Sequence, residues 1–220
     1  TSSCESQGLS LWRSVTLRFC ILEDTPLDYH HFTEHIEMTH CDLSGANTLV
    51  HISHGGYQIK HCEFNNGASL LAEDVTLASV MADSEMEDGS LSDEGVTQSR
   101  IIRSTFINNP ITKTDGELAL SCVRMSEAAR AVTIYNATLN ASADDQNGFN
   151  WFNDNNTDIF CGDAIELKLT NGNNHFANEN FYVEGSLQGN CSDAIACKLD
   201  LDVHTNFWEC WGGLSGSNGG

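Results

Sequence analysis

Three cysteines, Cys20, Cys41 and Cys62, stand 21 residues apart, twice in succession. Their neighbours return with them. Val15-Thr-Leu17-Arg-Phe-Cys20-Ile-Leu22 aligns with Ile36-Glu-Met38-Thr-His-Cys41-Asp-Leu43 and with Tyr57-Gln-Ile59-Lys-His-Cys62-Glu-Phe64. Each segment alternates apolar and polar residues, which is the spacing of a strand and not of a helix. Val75-Thr-Leu77, Arg100-Ile101-Ile-Arg-Ser104-Thr-Phe106 and Val132-Thr-Ile134-Tyr-Asn-Ala137-Thr-Leu139 read as further copies. Cys161-Gly-Asp163-Ala-Ile165-Glu-Leu-Lys168-Leu169 matches Cys191-Ser-Asp193-Ala-Ile195-Ala-Cys-Lys198-Leu199 at six of nine positions, 30 residues on.

Short strands returning at a near-constant interval, with no amphipathic helix between them, predict an all-β fold: a parallel β-helix, or solenoid of strands. Antiparallel sandwiches also use short alternating strands, but they do not require the same residue types to return every 21 positions. Coils about 4.8 Å apart stack equivalent residues directly. The repeat therefore predicts three inward columns: Cys20, Cys41 and Cys62; Leu17, Met38 and Ile59; Leu22, Leu43 and Phe64. Roughly eight coils fit the chain, a rod about 40 Å long. The expected organisation is an N-terminal cap over 1–14, the solenoid over 15–209, and a Gly/Ser-rich tail or linker over 210–220. Two loops interrupt it on this reading: a solvated acidic loop at 83–95 and an Asn/Asp-rich loop at 143–158.

Composition narrows the function. With 31 acidic and 10 basic residues among 220, the net charge is −21. No Lys/Arg cluster is present to meet a phosphate backbone, which argues against nucleic acid, and no apolar run approaches a membrane span. Nine cysteines, with few lysines and many Asn, Ser, Gly and Thr, read as a secreted or surface-exposed chain. Asn136, Asn140, Asn155 and Asn190 open N-x-Ser/Thr sequons and are the glycosylation candidates.

The ladder resembles the right-handed parallel β-helix superfamily, the pectin-lyase-like fold. Glu63-Phe64-Asn-Asn66 and Thr105-Phe106-Ile-Asn-Asn109 are similar to the Phe-x-x-Asn repeats of polymorphic outer-membrane and related surface proteins. That resemblance implies a right-handed coil and a surface location. Asn156-Thr-Asp158 and Gly162-Asp-Ala-Ile165 resemble fragments of the polygalacturonase pattern, in which carboxylates of neighbouring coils provide acid–base chemistry. If the chain were such an enzyme, Asp158, Asp163 and Asp193 would be its catalytic carboxylates. The bland reading places Asp163 and Asp193 in equivalent turns, bonding backbone amides.

Other candidates carry two readings each. His30 over His51 and His40 over His61 would stack, either as a zinc or copper site or as an outward polar ladder. Asp154, Asn156 and Asp158 alternate like the start of a calcium loop, without its glycine. Calcium is the more natural ion for such an acidic surface, and the default is no cofactor. Cys20, Cys41 and Cys62 either bridge between coils or fill the core as free thiols. Cys161, Cys191, Cys197 and Cys210 are the remaining disulfide candidates. Phe149-Asn-Trp151-Phe152 and Phe207-Trp208-Glu-Cys-Trp211 suit sugar stacking, subunit contact or capping.

The expectation is a non-enzymatic extracellular structural or adhesive module: acidic, a glycoprotein, and assembling end to end as a filament or cell-surface subunit. A polysaccharide-degrading enzyme or tailspike-like depolymerase is the alternative, and a carbohydrate-binding module the third reading.

Overall fold

The computed structural model describes residues 9–11, 14–141, 150–164, 166–168, 174–176, 183–187, 199–200 and 207–208. These form 27 strands and no helix. The strands lie in three parallel sheets of nine strands each, and every third strand in sequence belongs to the same sheet. That is a parallel β-solenoid with three strands per coil, and it is nine strands deep where roughly eight coils were expected. In one coil the strands are Leu27–His30, His35–Thr39 and Asp42–Ser44. They contribute to the first, second and third sheet respectively.

The expected columns form. Leu17 pairs with Met38 and Met38 with Ile59, and the second-sheet column continues through Met81, Ile101 and Leu120. Leu22, Leu43 and Phe64 lead on to Met86, Phe106, Met125 and Phe152 in the third sheet. Met38 to Met81, Leu43 to Phe152 and their first-sheet counterparts Leu27, Val50, Leu70, Leu91, Ile111, Val132 and Ile159 are buried in one continuous core. Alternation dictates this. With period two, every second side chain of each strand must face the interior.

The cysteines lie not in strands but just past a bend between the second and third sheets. The residue before each, Phe19, His40 and His61, has φ of 53°, 54° and 52°, and Asp83, Arg103 and Cys122 repeat the bend at 51°, 47° and 57°. A left-handed residue reverses the pleat for one step and turns the chain onto the next face. The ladder is not broken there: the N–H groups of Phe19, His40, His61, Asp83 and Arg103 donate to the carbonyls of Thr39, Lys60, Ala82, Ile102 and Ser121 one coil on. Between the first and second sheets the sharper bend at Asp115-Gly116 does require glycine. Gly116 has φ of +69°, and a Cβ there would stand 2.5 Å from the Thr97 carbonyl oxygen.

Several expectations are corrected. Residues 83–95 are not a solvated loop. Glu85–Glu87 and Leu91–Glu94 are ladder strands, with Met86, Leu91 and Asp93 buried and the intervening carboxylates turned outward. Negative charge concealed the alternation. The loop expected at 143–158 contains the strand Trp151–Asn153, and Ile159 opens the next. The expected cap over 1–14 contributes the strand Leu9–Leu11, paired with Leu27–Tyr29. Val75–Leu77 is a bend, and the strand of that coil is Ser79–Ala82. Val132–Tyr135 belongs to the first sheet and Thr138–Asn140 to the second. Leu167 pairs with Leu199, so the late coils are 32 residues apart at that point and not 30. The tail at 210–220 lies outside the described residues.

Candidate functional site

Among the described residues, the most unusual chemistry is inside the core. In the first sheet, Leu91 and Ile111 face inward, so Asp93 and Lys113, two residues on, must face inward too. The register places them directly opposite each other in adjacent coils. Both are 0% exposed, as are Tyr57 and Ser99, which point in from the second sheet. Tyr57, Ser79 and Ser99 form one second-sheet column. Small Ala72, in the coil between Tyr57's own and that of Asp93, leaves the phenol room to reach the carboxylate.

Every group in this network has partners. Lys113 Nζ donates to Asp93 Oδ1 at 2.6 Å, to the Gly95 carbonyl at 2.8 Å and to Ser99 Oγ at 3.3 Å. Asp93 Oδ1 also accepts the Gly95 N–H at 3.0 Å. Its Oδ2 accepts Tyr57 O–H at 3.0 Å and Ser99 O–H at 2.5 Å. The three donors of the ammonium and both carboxylate oxygens are thus satisfied, as a buried charge pair requires. Burial first, and then the Asp93 charge, push the Tyr57 phenol well above its usual range, so it remains a proton donor. Sequence reading missed this site. Its signal was present: Leu91-x-Asp93 and Ile111-x-Lys113 place opposite charges at inward positions 20 residues apart.

A second internal column runs along the cysteine bend: Cys20, Cys41, Cys62, Ser84, Ser104, Val123, Asn150 and Asn174. Ser84 Oγ accepts the Cys62 N–H, Ser104 Oγ the Ser84 N–H, and Asn150 Oδ1 the Val123 N–H. Asn150 Nδ2 donates to Leu120 O and to Asn174 Oδ1. The bend leaves a backbone donor that no strand neighbour reaches, and the side chain one coil on takes it.

The cysteines themselves are thiols. Cys20, Cys41, Cys62, Cys122 and Cys161 are all free, so the bridging reading of the ladder is corrected in favour of the filler reading. Cys41 is 3.6 Å from the Leu17 carbonyl and Cys62 is 3.3 Å from that of Lys60. Cys41 thus reaches back to the preceding coil as well as to Thr39 of its own bend, and Cys62 bonds within its own bend. Cys191, Cys197 and Cys210 lie outside the described residues. Burial pushes Cys62 and Cys161 up to about 12 from an ordinary 9.0. The folded state therefore favours the protonated thiol. Its contribution is complete below the unfolded value near 9 and is lost as the pH rises toward 12. Native protein treated with iodoacetamide at about pH 8 is expected to keep both thiols unmodified, whereas urea exposes them to reaction. Peptide mass mapping reads this, and rapid native labelling of either would overturn the burial.

Outside, the bend residues form a ladder: Phe19 stacks on His40 at 5.1 Å between ring centroids, and His40 on His61 at 4.8 Å. It continues into Asp83 and Arg103, joined by two bonds of 2.6 and 2.7 Å. The Arg103 guanidinium holds the Asp83 carboxyl below its ordinary value. His30 meets His51 edge-on at 5.9 Å, because the register sets His51 opposite Asp28 and His30 opposite Ser53. His51 lies between Asp28 at 3.1 Å and Glu73 at 2.9 Å. Among the described residues, no group of three or more His, Cys, Asp or Glu is arranged to hold a metal ion.

The other sequence candidates separate. Asp154 and Asn156 are exposed, while Asp158 is buried and accepts from Asn155 Nδ2 at 3.0 Å. For Asp163 the backbone alone is described, in the strand Ile159–Ala164, and Asp193 lies outside the described residues. Asn136 is exposed beside Asp115, and Asn140 donates to Glu117. Asn155 is 4% exposed, and its amide bonds Ala128 N–H, the Met125 carbonyl and Asp158, so a glycan on it would have to displace this packing. Asn190 and Phe149 are outside the described residues. Phe152 is a core residue and Trp151 a partly exposed one, so these two do not form a common outer platform.

Comparison of the chain with protein-family models, with curated proteins and with solved structures finds no match.

Proposed function

We propose that this protein is an extracellular structural rod that assembles end to end, built on a right-handed coil of the pectin-lyase-like kind. The observation that carries the reading is the first coil. Leu9–Leu11, Val15–Arg18 and Ile21–Glu23 are each the outermost strand of their sheet, paired on one side only among the described residues. Beside those edges the coil exposes apolar side chains, with Phe19 and Ile21 both 77% exposed and Leu9 41%. An unpaired strand edge beside apolar surface is a template for another chain. A solenoid offers such edges at its ends, so the contact it favours extends the rod. Parallel strands joined across bends in this way favour right-handed connections.

Its test is association. Light scattering after gel filtration is expected to show species larger than one chain that grow with concentration, and negative-stain images are expected to show rods of varying length. The double variant Phe19→Glu/Ile21→Lys is expected to reduce these to single chains of unchanged circular dichroism. Wild-type protein that stays monomeric at every concentration, or assemblies that the double variant leaves intact, would sink the proposal. A polysaccharide cleavage panel would then be the next assay.

A further inference from the structure

We infer that Lys113 and Asp93 form an intramolecular amide bond that staples two adjacent coils together. The amine and the carboxyl that would condense are in direct contact: Nζ lies 2.6 Å from Oδ1, and both residues are fully buried. Rigid ladder strands hold them in register, so the approach is already organised. The surroundings are those an acyl transfer needs. Oδ2 receives two O–H donors, Tyr57 and Ser99, where negative charge would develop. The Gly95 carbonyl also accepts from Nζ, at 2.8 Å, and helps to orient it.

The reaction balances within the chain. A proton passes from the Lys113 ammonium to Asp93 Oδ1 along the short contact. The amine lone pair attacks Cγ and the C–N bond forms. The electron pair displaced onto Oδ2 is held by Tyr57 and Ser99. The carbonyl then reforms, the Cγ–Oδ1 bond breaks, and Oδ1 leaves as water, taking the second proton from the nitrogen. Acid and amine become amide and water, with no oxidant and no activated co-reactant. The product fits the same partners: its N–H keeps the Gly95 carbonyl as acceptor, and its carbonyl oxygen keeps Tyr57 and Ser99 as donors. Nothing in the inference depends on end-to-end assembly.

The test is the mass of the full chain, with cysteines alkylated, under denaturing conditions. The wild type is expected to be lighter than its sequence by one water. Trypsin is then expected to leave Lys113 uncut and to release residues 61–100 joined to residues 104–124 as one branched species, sequenced by fragmentation. Lys113→Arg, which keeps a cation but removes the primary amine, is expected to restore the full mass. Tyr57→Phe, which removes one donor to the developing charge, is expected to leave a mixture of linked and unlinked chains in freshly made protein. Wild-type protein of full mass, cut normally after Lys113, would overturn the inference, as would water loss mapped to any other residues. The wild-type measurement decides the matter even if both variants fail to fold.

Discussion

Asp93→Ala is expected to lower the stability of the central coils by at least about 3–5 kcal/mol, the range for removing one partner of a buried charge pair, with loss of the inferred amide adding to it. The substitution leaves the Lys113 ammonium with no counter-charge in a site where it is 0% exposed. It also strips the acceptor from Tyr57, Ser99 and the Gly95 N–H. Asp93→Leu combined with Lys113→Leu is expected to recover part of the loss, since two apolar side chains remove the charge problem altogether. Urea unfolding followed by circular dichroism measures both. An Asp93→Ala midpoint equal to that of the wild type would show that the network contributes nothing. A double variant worse than either single one would show that its value lies in something other than charge pairing.

Phe106→Ala is expected to cost about 3–5 kcal/mol, as for other large aromatic deletions in a core. Phe106 is 1% exposed, with Met86 and Met125 beside it in the same column. A parallel stack cannot close the gap easily, because coil spacing is fixed by the backbone ladder and not by the side chains. Neighbouring methionines are flexible enough to fill some of it, so the lower part of the range is expected. In a solenoid each coil contacts only its neighbours, so damage is local. Hydrogen exchange is expected to accelerate over roughly the strands Glu85–Glu87, Thr105–Ile107 and Arg124–Ser126 and much less in Asp42–Ser44. Uniform acceleration along the rod would contradict this nearest-neighbour account.

The parts of the fold that were readable in the sequence are those governed by period and spacing. Two returns, from Cys20 to Cys41 and from Cys41 to Cys62, sufficed to place the second-sheet and third-sheet columns, because a constant coil length puts like residues above one another. Where coil length changed, the alignment slipped. Val75–Leu77 has the right apolar spacing but is a bend, and Ser79–Ala82 carries the strand. Val132–Tyr135 has it too, but in another sheet. Alternation alone does not say which of three similar faces a segment occupies. The segment 83–95 failed for another reason. Its carboxylates read as a solvated run, yet a strand needs only every second side chain to be apolar, and Met86 and Leu91 meet that condition.

The sequence by itself determined that this chain is a stack of short parallel strands, because its repeat and its alternation leave little else that buries the apolar positions. It also determined which residues share the early columns, His40 and His61 among them. Tertiary structure alone decided what the inward polar residues do. Asp93 and Lys113 are 20 residues apart, and Tyr57 is 36 residues from Asp93. They become one network because the coil brings one strand of each sheet to a common axis. Whether a cysteine bridges or merely fills, and whether a carboxylate is solvated or locked beside an ammonium, depends on distances across coils. Sequence spacing ranks the neighbours along a column, but it leaves open how closely side chains from different sheets approach across the core.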